Sequence, residues 1–187
     1  MLDVRPLALP EVLEIRPRRF RDERGFFSEV WNEAAWREAG IGLRFLQDNH
    51  SLSKERGVLR GLHYQTAPFA QDKLVRVTRG RVFDVAVDIR PASATFRRWT
   101  WVELSAEAWN QVLVPRGFAH GFVTLEPDTE VQYKVTAPYS SAHDRAIRFD
   151  DPDIAIDWPI AASALIVSEK DRAAPLLAVI DRESLGA

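Results

Sequence analysis

An arginine and a histidine lie three positions apart in a stretch whose other residues favour a β-strand. Residues 58–65, Val-Leu-Arg-Gly-Leu-His-Tyr-Gln, put Arg60 and His63 on opposite parity, because side chains alternate between the faces of a strand. They can share a face only if the strand slips by one residue, and a bulge at Gly61 allows that at least cost. His63 would then be a base beside an anion-holding Arg60. A structural histidine and a solvated arginine are the alternative interpretation.

Four histidines could contribute to a metal site, namely His50, His63, His120 and His143. Residues 115–120, Pro-Arg-Gly-Phe-Ala-His, resemble the second motif of cupins, whose metal-binding members usually carry His-x-His in the first motif. The corresponding place here is His63-Tyr-Gln65, so each motif keeps a single imidazole. Because a metal site needs three or four ligands in a defined geometry, we expect no metal and no other cofactor. The sequence also lacks a glycine-rich phosphate loop and a Gly-x-Ser-x-Gly nucleophile motif.

Two further residues supply parts for proton transfer next to a carbonyl group. Lys73 opens an alternating run, and a lysine near a carbonyl can stabilise an enolate oxygen. Tyr133 shares one face of its run with two valines, so it points into the core, where its hydroxyl needs a partner. Such a tyrosine could return a proton that a carboxylate-oriented histidine removes. The sequence supplies these parts but not their proximity.

Short alternating runs, separated by turn residues, must position these side chains. The strands that they predict cover residues 12–16, 26–31, 45–51, 58–65, 73–78, 82–89, 99–104, 111–115, 118–125 and 129–136, with one more within 163–170. About ten short strands are typical of an all-β sandwich or jelly roll.

Turn and cap signals connect these strands. Asn32 and Gly40 bound a short helix over residues 33–39, and residues 175–185 predict a C-terminal helix. Arg79-Gly-Arg81 predicts a tight turn. Residues 126–128 predict a hairpin between the strands 118–125 and 129–136.

Length and composition bound the class of protein. A chain of 187 residues suggests a single domain over residues 1–187. The formal charge of −2 argues against nucleic-acid binding, and a local basic run is most simply a solvated face: Arg16, Arg18, Arg19, Arg21 and Arg24. The absence of cysteine excludes disulfides and thiolate chemistry. The first residues lack the apolar core of a signal peptide and no stretch is long enough to span a bilayer, which predicts a soluble cytoplasmic protein without membrane contact.

Several stretches, taken in order, resemble the dTDP-4-dehydrorhamnose 3,5-epimerase family. They are residues 22–29 (DERGFFSE), 47–51 (QDNHS), 57–65 (GVLRGLHYQ), 73–77 (KLVRV), 82–88 (VFDVAVD), 115–122 (PRGFAHGF) and 168–171 (SEKD). The resemblance runs from about residue 4 to about residue 180. It implies a cupin-type jelly-roll β-barrel or sandwich with a few short helices, acting without a metal. It also implies a homodimer in which an extended segment, about residues 1–30, lies at the interface and reaches across to the partner.

The resemblance also implies a role for each matching residue. His63 becomes the base and Asp171 its carboxylate partner. Tyr133 becomes the acid on the opposite face of the sugar, and Lys73 polarises the ketone at C4. His120 lines the sugar pocket. The implied contacts to the nucleotide diphosphate are Arg24, Glu29, Gln47, Asp48, Asn49 and Arg60, of which Arg24 and Glu29 would serve the site of the neighbouring subunit. Tyr139 would stack on the thymine, with Asp144 and Glu169 at the pocket edge.

The implied reaction inverts C3 and C5 of dTDP-4-dehydro-6-deoxy-D-glucose, on the route to dTDP-L-rhamnose and cell-surface polysaccharide such as lipopolysaccharide. Three alternatives stay open: an epimerase of one centre in another dTDP-deoxysugar pathway, a metal-dependent cupin such as a dioxygenase, and a non-catalytic sugar-nucleotide binder. Two positions depart from the family pattern. Leu113 stands where members often have tryptophan, and Asp144 where glutamate is common. Both bear on fine specificity more than on reaction type.

Overall fold

Two antiparallel sheets face each other in the computed structural model, which describes residues 2–185. In chain order the strands are β1 (Asp3–Pro6), β2 (Leu13–Arg16), β3 (Arg19–Asp22), β4 (Gly25–Ser28), β5 (Gln47–Ser53), β6 (Val58–Gln65), β7 (Lys73–Arg79), β8 (Arg81–Asp88), β9 (Trp99–Ser105), β10 (Gln111–Val114), β11 (Phe118–Thr124), β12 (Thr129–Val135), β13 (Asp144–Ala146) and β14 (Ile166–Val167). The helices are α1 (Glu33–Glu38) and α2 (Glu169–Arg172).

From β5 to β13 the chain passes from one sheet to the other at every connection except the one between β8 and β9. The first sheet has the order β1-β2-β10-β7-β12-β5. The second has the order β13-β6-β11-β8-β9, and the short β14 pairs in parallel with β6. Strands β3 and β4 form a separate two-stranded ribbon. The predicted all-β jelly roll is confirmed, as a sandwich rather than a closed barrel.

Three apolar clusters hold these layers together. The first lies between the sheets, where Val75 and Val131 of one sheet meet Ala86 and Phe122 of the other. The C-terminal part of the chain covers the outer side of the second sheet, and Leu177 is one of its buried residues. Helix α1 places Trp36 on the first sheet, beside residues that include Ile15 and Leu74. Burial of such side chains is the main stabilising term of the fold.

The predicted hairpin between residues 118–125 and 129–136 is wrong. Strand β11 pairs with β6 and β8, whereas β12 pairs with β5 and β7, so the connecting residues cross from one sheet to the other. The tight turn at Gly80 is present, with φ +75, and it too carries the chain between sheets. Alternation along a strand defines its faces but does not identify the neighbouring strand.

The C-terminal predictions also need correction. Within 163–170 only Ile166–Val167 is a strand, because Ser168 caps α2 directly after it. Residues 175–185 form two single 3₁₀ turns, Leu177–Val179 and Arg182–Ser184, instead of a helix. The main-chain N–H of Leu177 donates to the buried carboxylate of Asp151 at 2.6 Å, which fixes the segment against the core.

The short helix near the N-terminus is confirmed over Glu33–Glu38. Its N-cap Asn32 accepts a hydrogen bond from the Ala35 N–H at 3.1 Å. Gly40 follows the helix with φ +86. Within residues 2–185, no helix is long and apolar enough to cross a membrane.

Candidate active site

A bulge in β6 brings Arg60 and His63 to the same side of the strand. Opposite β6, His120 of β11 is the register partner of His63 and Phe122 is that of Arg60, so β6 holds one extra residue. Gly61 lies at this point with φ +129, and a Cβ there would lie 2.5 Å from the Gly121 Cα. The predicted slip at Gly61 is therefore confirmed. Arg60 and His63 both line a cavity of about 610 Å³ between the two sheets.

The cavity collects most of the residues that the sequence singled out for chemistry. Those lining it are Arg60, His63, Lys73, His120, Tyr133, Tyr139, Asp144 and Asp171. The second sheet contributes His63 and His120 through β6 and β11. The first sheet contributes Lys73 and Tyr133 through β7 and β12. A histidine and a tyrosine thus approach the same space from facing sheets.

His63 is paired with a buried carboxylate. Its Nε2 lies 2.6 Å from Oδ1 of Asp171, and the second oxygen of Asp171 accepts a hydrogen bond from the Gly61 N–H at 3.5 Å. Burial opposes ionisation of Asp171, but the His63 and Gly61 hydrogen bonds outweigh it and lower the pKa of this carboxyl group. An ionised Asp171 accepts a hydrogen bond from the Nε2–H of His63, which leaves the lone pair on Nδ1 free to act as a base.

The position of Asp171 depends on a very short helix. Asp171 lies in α2, and its main-chain N–H donates to Oγ of the N-cap Ser168 at 3.1 Å. Ser168 also lines the cavity. The sequence contains this cap as Ser-Glu-Lys-Asp, but spacing alone did not reveal that it positions the partner of His63.

Lys73 is buried beside the histidine. Its side-chain Nζ donates to the main-chain carbonyl of His63 at 3.1 Å, and only 8% of the residue is exposed. Burial lowers the pKa of Lys73 to about 8, against the opposing effect of the Asp144 and Asp84 carboxylates. At neutral pH most of this amine is still cationic, so it can stabilise negative charge that develops in the cavity.

The pKa of Tyr133 shifts in the opposite direction to that of Lys73. Its side chain is half-buried on β12, and burial raises the pKa of the phenol, with Arg60 acting in the other direction. The hydroxyl group therefore stays protonated throughout the neutral range and can serve as a proton donor.

A second histidine–carboxylate pair lies next to the first. Nε2 of His120 lies 2.9 and 3.0 Å from the two carboxylate oxygens of Asp84, and both residues are buried. Sequence reasoning missed Asp84 as a partner, although alternation along β8 places it on the face opposite Phe83. The two residues lie 36 positions apart, so no local sequence pattern indicates that they meet.

The rim of the cavity carries an exposed aromatic ring and an ion pair. Tyr139 is 58% exposed, and its hydroxyl lies 3.5 Å from Oδ2 of Asp144. The same oxygen binds Nζ of Lys170 at 2.6 Å, a residue that sequence reasoning did not select. Gln47 accepts a hydrogen bond from the Tyr139 N–H at 3.0 Å and donates one to Asn49 at 2.8 Å.

Six of the selected residues do not line this cavity, namely Arg24, Glu29, Gln47, Asp48, Asn49 and Glu169. Arg24 lies in the turn of the β3–β4 ribbon, where it pairs with Asp22 at 2.5 Å. Glu29 lines a separate cavity of about 690 Å³ beside α1. Asp48 points to the outer face of its sheet and binds Lys134 at 2.8 Å, and Glu169 is an exposed residue of α2. Among residues 2–185, no cluster of three or more His, Cys, Asp or Glu residues could hold a metal ion.

Comparison with known proteins bears directly on this arrangement. The family model described as dTDP-4-dehydrorhamnose 3,5-epimerase matches residues 6–179. The chain belongs to this family. A curated dTDP-4-dehydrorhamnose 3,5-epimerase of Sinorhizobium fredii is 53% identical over 171 residues, covering 91% of this chain and 87% of the relative.

Two solved structures of similar proteins extend the comparison. One is a dTDP-6-deoxy-D-glucose-3,5-epimerase of Legionella pneumophila in complex with dTDP-4-keto-L-rhamnose, with a TM-score of 0.94 and 45% identity, covering 99% of this chain and 97% of that one. The other is a 3′-monoepimerase of Streptomyces bikiniensis in complex with dTDP-quinovose, with a TM-score of 0.85 and 33% identity, covering 93% and 87%. Proteins with this fold therefore include epimerases of different scope.

Proposed function

We propose that this chain is an isomerase that inverts C3 and C5 of dTDP-4-dehydro-6-deoxy-D-glucose, giving dTDP-4-dehydro-L-rhamnose. The observation that carries the proposal is the His63–Asp171 pair at 2.6 Å, in one cavity with Lys73 and Tyr133 from the facing sheet. A base, an acid and a cation around one space are the parts that proton exchange next to a ketone needs.

The reaction begins with proton removal beside the C4 ketone. His63 takes the proton from C3 or C5, and the electron pair of the broken C–H bond forms a C=C bond as the carbonyl electrons move onto oxygen. Lys73 stabilises the resulting enolate oxygen electrostatically. Asp171 stabilises the imidazolium ion that His63 becomes.

Reprotonation from the other face inverts the carbon. Tyr133 gives its phenolic proton to that carbon, the C=C electrons form the new C–H bond and the ketone is restored. His63, whose side chain is 33% exposed, then returns its proton to solvent, and the phenolate takes one up. Two such rounds, one at each centre, convert substrate to product without an added reactant.

The nucleotide would lie towards the rim of the cavity. Among residues 2–185, the Arg60 guanidinium donates to two neutral oxygens, Ser53 Oγ and Leu52 O, both at 3.3 Å, so its planar fork is available to the diphosphate. The exposed Tyr139 ring would stack on the thymine. The nucleotide would also be bound at the edge of the cavity by Gln47, Asn49, Asp144 and Glu169. His120 would contact the sugar.

The residues remote from the cavity are accounted for by a second copy of the chain. We propose a homodimer in which about residues 1–30 reach the partner, so that Arg24 and Glu29 serve its site and Asp48 lies near the exchanged segment. Exposed phenylalanines on the ribbon support this: Phe20 is 50% exposed, Phe26 48% and Phe27 70%.

We also propose that residues 1–187 act as one domain, that the enzyme works in the cytoplasm, and that it supplies dTDP-rhamnose for polysaccharide synthesis.

Incubation of the enzyme with substrate in deuterated water tests the reaction. We expect deuterium at both C3 and C5 of the product, because solvent-exchanged protons return to both centres. The His63→Ala variant should lose turnover and still bind dTDP. The matched control is His50→Ala, since His50 lies on the outer face of the first sheet and pairs only with Glu130 at 3.0 Å.

Three measurements separate the alternatives: the position of the deuterium, the effect of metal removal and the binding of dTDP. Deuterium at one centre alone would identify a single-centre epimerase, an activity that the similar Streptomyces monoepimerase makes worth testing. Loss of activity on chelation, with recovery on adding back iron, zinc or manganese, would identify a metal-dependent enzyme. Binding of dTDP without any deuterium incorporation would leave a non-catalytic binder.

A further inference from the structure

No residue of the β3–β4 ribbon is fully buried. Every residue from 20 to 27 is exposed, and the ribbon belongs to neither of the two large sheets. A two-stranded hairpin by itself is at best marginally stable in water. Within one subunit, the order of the ribbon therefore rests on the contacts at its base.

Those contacts converge on Trp109, in the turn between β9 and β10. The Phe26 ring meets the indole edge-on, with the ring centroids 4.6 Å apart. The guanidinium of Arg19 lies 5.3 Å from the indole centroid and that of Arg76, on the first sheet, lies 5.9 Å from it. Aromatic and cation–π contacts of this kind each contribute on the order of 1 kcal/mol.

A hydrogen-bonded chain extends the same contact to both strands of the ribbon. The indole Nε1–H donates to Ser28 Oγ at 2.9 Å, and that hydroxyl group donates to the Arg18 carbonyl at 2.9 Å. Arg19 also donates from Nη2 to the Glu107 carbonyl at 2.7 Å. The last residue of β4 and the start of β3 are thus tied to one turn of the main body.

Trp109 itself is held in an unusual conformation. Its φ is +59, in the left-handed region that residues other than glycine seldom adopt. Its main-chain N–H donates to the Ser105 carbonyl at 3.0 Å, and Ser105 Oγ accepts a hydrogen bond from the Ala108 N–H at 2.9 Å. The turn therefore presents the indole in a fixed direction, towards the ribbon.

We propose that Trp109 is a positioning residue that orders the β3–β4 ribbon and so directs Arg24, at its tip, and Glu29, which follows β4, towards the substrate site that they serve. The ordering of the ribbon follows from the contacts above. The effect on substrate binding rests on the proposed function. Within residues 2–185, the ring contacts and hydrogen bonds of Trp109 join it to Phe26, Arg19, Arg76, Ser28 and Ser105, none of which lines the cavity, so it acts through the ribbon.

The test combines amide hydrogen exchange with steady-state kinetics on the full-length Trp109→Ala variant. We expect exchange in residues 19–28 to accelerate at least about tenfold, because local opening then costs less. We expect KM for the dTDP-sugar to rise about three- to tenfold with kcat within about twofold, the pattern of lost binding contacts. The matched control is Trp101→Ala, since Trp101 is 51% exposed on β9 and its ring stacks on Phe83 of the second sheet.

Two milder variants keep the test decisive if Trp109→Ala folds poorly. Ser28→Ala removes the acceptor of the indole N–H together with the hydrogen bond to the Arg18 carbonyl, and Trp109→Phe keeps a ring against Phe26. Both should give intermediate exchange rates and intermediate KM values. Exchange in residues 19–28 at the parent rate in all three variants would overturn the proposal, whether or not the parent is an epimerase. Faster exchange with unchanged KM would overturn the link to substrate binding, while a parent without turnover would instead refute the proposed function.

Discussion

His63 and His120 are register partners on the adjacent strands β6 and β11, and each hydrogen-bonds its own buried carboxylate. Their surroundings differ. The His63 side chain is 33% exposed and the His120 side chain 9%. Only His63 therefore has ready access to solvent for proton exchange, which is why we assign the base to His63 and a sugar contact to His120.

Replacing the two carboxylates, Asp171 and Asp84, should therefore affect kcat to different extents. Asp171→Asn removes the charge that orients and stabilises the His63 imidazolium, and we expect kcat to fall about 100- to 10,000-fold. Asp84→Asn still offers an acceptor to His120, and we expect a loss of about tenfold or less. Deuterium incorporation from solvent measures both variants. Equal losses in the two would contradict the assignment of roles.

Lys73 should show opposite effects on activity and stability. Lys73→Met removes the cation beside the enolate oxygen, so kcat should fall at least about 100-fold at pH 7. It also removes a buried charge, so the free energy of unfolding should not fall and should rise by about 1 kcal/mol. Thermal unfolding measures this, with the exposed Lys54→Met as control. A clear drop in stability would show that the buried ammonium stabilises the fold.

The pH dependence follows from the lowered pKa of Lys73. Between about pH 8 and pH 10 the folded lysine has lost a proton that the unfolded chain still binds. The contribution of Lys73 to stability therefore rises with pH across that window, whereas kcat should fall above about pH 8 as the cation is lost. Lys73→Met should abolish the rise in stability, as seen in urea unfolding at a series of pH values.

Tyr133→Phe should separate the two halves of the reaction. The variant keeps His63 and Lys73, so removal of the proton continues, but no phenol returns one from the opposite face. We expect epimerised product to fall at least about 100-fold, while deuterium still enters the unchanged substrate. Nuclear magnetic resonance of the recovered substrate reads this out. A variant that loses isotope exchange to the same extent would place Tyr133 in the removal step instead.

Ser168 offers a test of the short helix that carries Asp171. Ser168→Ala removes the N-cap, and we expect kcat to fall about fivefold, the rate equivalent of about 1 kcal/mol. Ser168→Thr keeps a capping hydroxyl group and should restore most of the rate. If Thr and Ala behave alike, the hydroxyl does not position Asp171 through the cap.

The strands that carry the site could be predicted from the sequence because their patterns are local. The runs around His63, Lys73 and Tyr133 were placed correctly, and the bulge at Gly61 followed from the parity of two side chains. The pairing of β11 and β12 could not be predicted in this way. Both strands have apolar positions suited to either neighbour, and the short link at 125–128 fits a hairpin as well as a crossing between sheets.

Contacts between distant parts of the chain set the other limit. Asp171 lies 108 positions from His63, and only the family resemblance, not the residue pattern, joined the two. The C-terminal segment was wrongly predicted as a helix because its apolar residues also suit one. In the structure Leu177 instead docks on the core and bonds to Asp151, a tertiary interaction that local propensity does not register.

The contact between Gly61 and Gly121 limits how this active site can change in evolution or design. A methyl group on either residue would press into main-chain atoms of the neighbouring strand, so neither position can drift alone. Both positions therefore have to remain glycine for β6 and β11 to approach this closely. A design that transfers the polar residues of this site to another jelly roll would have to include both glycines as well, although neither contributes a reactive atom.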